Sequence, residues 1–230
     1  MRKIIALTAF ILMVTIPCQV GSINYKNKEI SLISFNITIH PDIKKFLDQF
    51  EGSFPAIKNS SADKIVAKIK EQTWGNLVDK LQNDIGMIIL PISTFGKDIS
   101  YDAYDFPDIA ISKAQRKGFS KFYMKIDLRI EPESVQFANN YKAKYDTTQH
   151  LKMKKGDIKP MVTITLTTYP QNGIIPLGKY TGITISSNAW SVSDTSFLDG
   201  LINANTKNDL TNLMGLINEA INDLSLNILS

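Results

Sequence analysis

The segment "KDISYDAYDFPD" (97–108) sets Asp98, Asp102, Asp105 and Asp108 among Tyr101, Tyr104 and Phe106. Clustered carboxylates are the chemistry of hard-cation binding, because calcium takes several oxygen ligands at once. Calcium loops of the helix–loop–helix kind space their ligands by two and need a glycine at the tight turn. Here Asp102, Asp105 and Asp108 are spaced by three, and that glycine is missing. The segment therefore reads as an ordered loop. Its aromatics pack, its aspartates start turns, and Asp108 falls in the first turn of the helix that follows. No metal and no cofactor is assigned.

The other chemistry-bearing side chains are sparse. There are two histidines, His40 and His150. His40 stands where a strand meets a proline-led helix and reads as a cap, and His150 lies in a polar loop. No His/Cys/Asp spacing matches a zinc site. No G-x-S-x-G elbow, P-loop or dinucleotide fingerprint is present. No catalytic residue is assigned.

The stretch "RKGFSKFYMKI" (116–126) has the look of an RNA-reading strand, with Lys117, Gly118 and Phe119 in order. Such strands stack bases on regularly placed aromatics. Lys121 and Met124 stand where two of those aromatics belong, and no partner strand carries a second pair. The reading is a core strand with a charged outer face, and nucleic acid is not a partner.

A candidate interaction surface lies in the long segment 132–156. It holds Lys142, Lys144, Lys152, Lys154 and Lys155, with Tyr141 and Tyr145 nearby. Such a surface suits an acidic protein or a lipid headgroup layer, so peripheral membrane contact belongs among the expectations. Tyr101 and Tyr104 of the aspartate-rich loop are the other candidate contacts.

These residues need a scaffold. "ISLISFNITIH" (30–40) is rich in β-branched residues and alternates Phe35, Ile37 and Ile39 with Asn36 and Thr38, which predicts a half-buried strand. Pro41 opens a helix carrying Ile43, Phe46, Leu47 and Phe50. A longer helix follows, with Ser60 and Asp63 as a capping box, an apolar stripe from Ile65 to Ile85, and Gly86 at its end. "MIILPI" (87–92) reads as a short buried strand and "PDIAISKAQRKG" (107–118) as a helix.

Over 122–131, Phe122, Met124, Ile126, Leu128 and Ile130 alternate with Tyr123, Lys125, Asp127, Arg129 and Glu131. That alternation puts the first set in the core and the second in solvent. Strands over 157–170 and 179–192 flank the turn "PQNGIIPLG". A helix with Leu210, Leu213, Met214, Ile217, Ile221 and Leu224, capped by Thr206 and Asp209, closes the chain. The order predicts one α/β domain over 23–230, an α+β sandwich with a mixed sheet of about five strands and helices mainly on one face.

"MRKIIALTAFILMVTIPCQVGS" (1–22) has a positive start, an apolar run of roughly a dozen residues and small residues at its close, the pattern of a cleaved secretory signal. Cleavage after Ser22 removes Cys18, the chain's one cysteine, and leaves a domain without disulfides. The alternative is lipidation at Cys18, which Pro17 disfavours. The segment carries two of the 26 basic residues and none of the 22 acidic ones, so the net charge falls from +4 to +2. A nearly neutral exported domain pulls weakly on phosphate backbones.

A helix ending at Ala114–Gly118 and running directly into Phe119, Ser120, Lys121, Phe122 and Tyr123 resembles the α/β domain of bacterial envelope proteins of the curli-secretion (CsgG) and TolB amino-terminal kind. In those families the stretch reads approximately Ala-x-x-x-Gly-Ala-Asp-Tyr, and here Lys121 replaces the acidic residue. The resemblance implies a non-enzymatic part in envelope assembly and carries over no functional residue. The expectation is an exported protein of the periplasm or the extracellular space that binds another protein or an envelope component. The alternative is a secreted hydrolase or small-ligand-binding domain whose site is assembled in space.

Overall fold

A computed structural model gives the architecture and describes residues 23–55, 57, 62–118, 120–133, 158–191, 193–202 and 209–230. The signal segment with Cys18, the lysine-rich stretch with Lys142, Lys144, Lys152, Lys154 and Lys155, and His150 lie outside the described residues, as do Ser60, Phe119 and Thr206.

Five strands form one mixed sheet in the order β2-β1-β3-β4-β5. They are β1 (Glu29–Ile39), β2 (Ile88–Ile89), β3 (Phe122–Pro132), β4 (Pro160–Pro170) and β5 (Gly178–Ile185). β1 lies parallel to both β2 and β3, while β3, β4 and β5 form an antiparallel meander. Among the described residues four α-helices accompany it: α1 (Pro41–Asp48), α2 (Lys64–Lys80), α3 (Ile111–Lys117) and α4 (Leu213–Leu229). The α/β class and the mixed five-stranded sheet agree with the sequence pattern.

The main core lies between the sheet and α1, α2 and α4. Ile126, Leu128 and Ile130 of β3 and Val162, Ile164 and Leu166 of β4 are fully buried there, facing Ile69, Leu77, Ile217 and Leu224 of the helices. An aromatic cluster closes the end where β3 stops. Phe46 of α1 meets Phe197 at 4.8 Å, and Trp190 stacks on Phe197 at 4.9 Å. The Trp190 indole N–H donates to the Thr211 carbonyl at 3.0 Å.

A smaller core sits on the opposite face. Ile33, Phe95, Ile99, Ile109, Ala114 and Tyr123 form it, under α3 and the 3-10 turns of Ile92–Asp98. Tyr123, expected on the solvent face, is fully buried here, with its hydroxyl donating to Ala114 O at 3.4 Å. Alternation separates the two faces but does not say which stretch of the second face is covered. β1 serves both cores through a bulge. Its register against β3 shifts between Leu32 and Ser34, so the extra residue Ile33 turns to the small core and Phe35 returns to the large one.

Local chemistry sets the helix boundaries. His40 caps α1 as expected, its Nδ1 accepting from the Asp42 N–H at 3.3 Å. Asp63 is itself the N-cap of α2, accepting from Ile65 N at 2.8 Å and Val66 N at 3.0 Å, and so is not the third residue of a capping box. Burial alone would raise this carboxyl. The Lys44 ammonium and the capping N–H groups outweigh it and hold the group below its ordinary value. α2 widens into a π-turn over Leu81–Ile85 and stops at Gly86, whose φ of 73° suits glycine.

Other boundaries differ from expectation too, among them β5, which stops at Ile185 and not at 192 because Ser186 turns its hydroxyl to the Asn188 and Leu210 carbonyls. β2 is a two-residue edge with Ile88 44% exposed, because its segment turns away after two ladder pairs. Residues 107–110 are extended, so Asp108 bridges Ser34 of β1 and does not open α3. α4 begins at Leu213 because Asn212 caps it through Gly215 N at 2.8 Å, which leaves Leu210 outside the helix and exposed.

α4 lies close over β4 and β5 at Gly182. A Cβ there would meet Ala220 O at 1.9 Å and Leu224 N at 2.5 Å. Two polar side chains of α4 also serve the outer edge of β5. Asp223 accepts from Ile183 N at 3.0 Å, and Asn227 Nδ2 donates to Thr181 O at 2.8 Å. At the start of β1, buried Tyr25 shares a 2.6 Å hydrogen bond with Thr168. Burial pushes its phenol well above the ordinary value, and the bond with Thr168 offsets part of that rise.

Two glycine substitutions should move stability in opposite directions. Gly182→Ala forces α4 off the sheet and should cost about 1–3 kcal/mol. Gly75→Ala, inside α2 with nothing within 4 Å of the added methyl, should stabilise by about 0.5–1 kcal/mol. Denaturant melts of the two variants check the pair. Tyr25 sets an alkaline limit. Its raised folded pKa means the unfolded chain ionises first, so stability falls as pH rises above about 10. Tyr25→Phe should make that fall shallower, and melts at several alkaline pH values would read it.

Candidate functional site

The apolar stripe of α2 contains a cation. Lys70 follows Val66 by four residues and precedes Trp74 by four, which points it to the packed face, and it is only 3% exposed. An unpaired ammonium in that position would be costly. Three rings and a carboxylate surround it. Its Nζ lies 4.8 Å from the Phe106 centroid and 5.2 Å from those of Phe35 and Tyr104, within cation–π range. Asp102 Oδ2 pairs with it directly.

The other oxygen of Asp102 shapes the loop. Oδ1 accepts from Tyr104 N at 2.8 Å and Phe106 N at 3.0 Å, so the carboxylate folds residues 102–106 around itself. Asp105 sits in the resulting turn at a φ of 63°. Phe106 meets Phe35 of β1 at 5.5 Å and Trp74 of α2 at 6.1 Å, both edge-on. Burial lowers the Lys70 pKa from its ordinary value, against the upward pull of Asp102 beside it and Asp108 farther away.

Above this buried pair runs a groove of about 750 Å³ between α2 and the loop. Its apolar walls are Pro55, Ile57, Trp74, Ile92, Tyr104 and Phe106, and Lys64, Lys68, Glu71 and Asp105 mark its rim. Burial raises the Tyr104 phenol from its ordinary value, against the pull of its backbone hydrogen bond at Asp63. The arrangement offers aromatic faces with a charged margin, a surface suited to holding an apolar or aromatic group and orienting it by its polar flanks.

The four aspartates flagged for calcium go to separate partners. Asp98 pairs with Lys117 at 3.1 Å, Asp102 takes Lys70, Asp105 lies on the groove rim, and Asp108 bridges β1. Among the described residues no group of three or more His, Cys, Asp or Glu side chains is placed to hold a metal ion. Of the two tyrosines singled out as contacts, Tyr104 lines the groove. Tyr101 turns away, its hydroxyl donating to Gly96 O at 2.8 Å, and packs on the smaller core. Lys70 was not singled out. The signal for it is a lysine in register with Val66, Trp74 and Leu77, followed by an aspartate among aromatics.

No family model matches this chain, and no curated protein matches it. Among solved structures it is similar to the hypothetical protein CT253 from Chlamydia trachomatis. The likeness is 8% identity and a TM-score of 0.38, over 88% of this chain and 98% of that one. A likeness of that degree carries no functional reading.

The two halves of the buried pair should not be equivalent. Asp102→Asn keeps both loop hydrogen bonds and removes only the charge, which strands the Lys70 ammonium. It should cost about 3 kcal/mol. Lys70→Met fills the same space with an apolar chain and leaves a partly exposed aspartate, at a cost of about 1 kcal/mol or less. The stranded lysine should also give a pH signature. The unfolded chain holds that proton more tightly, so the melting temperature of Asp102→Asn should climb as pH rises toward about 10. Calorimetry across that range decides it, and a larger loss from Lys70→Met would overturn the account.

Proposed function

We propose that this chain is a non-enzymatic binding protein, exported to the bacterial cell envelope, whose groove between α2 and the 102–106 loop receives an apolar or aromatic segment of a partner polypeptide. The observation that carries this reading is the composition of the groove. Its walls are rings and aliphatic side chains, its rim is charged, and the buried ammonium nearest to it, Lys70, is engaged with Asp102 beneath the floor. A reactive amine would need an open path to substrate. The signal-like residues 1–22 support export, and the resemblance around Ala114–Tyr123 supports an envelope setting.

The volume favours a second reading. About 750 Å³ falls within the range of small-molecule sites. A small aromatic ligand would use the same rings and the same Lys64, Lys68 and Glu71 rim.

One experiment separates the two. A photo-crosslinking phenylalanine derivative placed at Lys68 on the rim should form an adduct of polypeptide mass when irradiated in the native cells. The same group at Arg129, on the exposed sheet face, should give none. Native mass spectrometry showing a bound small molecule that Trp74→Ala releases, with no polypeptide adduct at Lys68, would replace the first reading by the second.

A further inference from the structure

The turn between β4 and β5 presents its apolar residues outward. Ile174 is 65% exposed and Ile175 79% exposed. Scattered single apolar residues are ordinary on a surface, but adjacent isoleucines on the tip of a short connection are a patch. The tip is also held in place. Gln115 of α3 donates through Nε2 to Pro170 O at 2.9 Å and to Gly173 O at 2.6 Å, and Leu177 N donates to Thr168 O at 2.8 Å. The isoleucines are thus kept in water by a braced turn that could have carried polar side chains at no cost to the ladder.

The register shows what surrounds them. Phe122 pairs with Ile30 of β1 and with Pro170 of β4, so the starts of β1 and β3 share one end of the sheet with this tip. Lys26, Lys28, Lys121 and Lys179 are all exposed at that end, and Gln115 brings the neighbouring Arg116 of α3 there as well. Among the described residues none of the five pairs with a carboxylate. Of the acids nearby, Asp84 is taken by Lys80 and Ser225 and Asp98 by Lys117, while Glu29 is exposed. α4 runs toward the same end, because Asp223 bonds Ile183 and Asn227 bonds Thr181. Leu226, 66% exposed, and Leu229, 57% exposed, fall in its last turns.

We propose that this end of the molecule is a docking surface for an anionic lipid bilayer. Ile174 and Ile175 enter the headgroup boundary while Lys26, Lys28, Lys121 and Lys179 meet the acidic headgroups. A protruding apolar tip within a basic ring fits a soft interface that is negative outside and apolar beneath. A protein partner would need a complementary concave pocket, and the tip is convex. Two weak signals, one apolar and one electrostatic, together give reversible attachment. The surface is separate from the groove, so either reading can fail without the other.

Co-sedimentation of the purified chain with phosphatidylcholine vesicles, with and without phosphatidylglycerol, tests it. Binding should need the anionic lipid and weaken as salt rises. Ile174→Ser with Ile175→Ser should lower the bound fraction about tenfold at an unchanged melting temperature. Gln in place of Lys121 and Lys179 should do the same through charge alone. Equal binding to both vesicle types, no binding to either, or wild-type binding by the isoleucine variant would each overturn the proposal. So would a concentration-dependent rise in mass, abolished by the isoleucine variant, which would assign the patch to a second copy of this chain.

Discussion

A cation held out of water constrains this fold more than any other single group. Lys70 is only 3% exposed, and the environment that makes it tolerable has to be assembled from distant parts of the chain. α2 brings the ammonium, β1 brings Phe35, and the 102–106 loop brings Asp102, Tyr104 and Phe106. None of these suffices alone, since an ion pair at the edge of a core breaks even only with good geometry and further hydrogen bonds. The loop conformation, the tilt of α2 and the position of Phe35 are therefore settled together. The groove wall follows from the same arrangement.

The anchor reaches further than the groove. Residues beyond Phe106 run along the outer side of β1, where Asp108 bridges Ser34 and Ile109 N donates to Ile33 O at 3.0 Å. β2 covers only the first two residues of that side. At Ile33 and Ser34 the cover is a loop whose shape Lys70 and Asp102 maintain. At the opposite margin the solution differs, because Asp223 and Asn227 of α4 occupy a donor and an acceptor of β5 directly. Unpaired strand edges invite pairing between molecules. This sheet engages part of one edge with a tethered loop and part of the other with two polar side chains.

Much of this was legible in the sequence, for physical reasons that differ by element. β3 and β4 alternate cleanly because one face meets a continuous core, so Ile126 and Ile164 could be placed inside from period alone. Tyr123 could not, because the second face is covered only where α3 and the 92–98 turns lie across it, and that is a tertiary fact. β1 shows the same limit. Its run from Ile30 to Phe35 breaks alternation, and the cause is a bulge that feeds two cores. At the site, Tyr104 and Phe106 were visible as packing aromatics, while Lys70 was hidden by the habit of reading lysine as surface. Its position in step with Val66 and Trp74 carried the information. The lysines of 142–155 lie outside the described residues.

The parallel placement of β1 between β2 and β3 has a consequence for the order of assembly. The first strand of the domain is also a central one, and nine of its residues pair with Phe122–Ile130 of β3. A chain emerging from its N-terminus would carry the apolar run "ISLISF" for some time before its main neighbour existed. Non-local parallel pairing of this kind must close a long loop before any ladder bond is gained, which slows folding and prolongs exposure of sticky backbone. The meander from β3 to β5 is local by comparison and offers a ready template. β1 would then be the last strand to join rather than the first, so the quality control of this protein turns on how long its opening strand can be kept from the wrong partner.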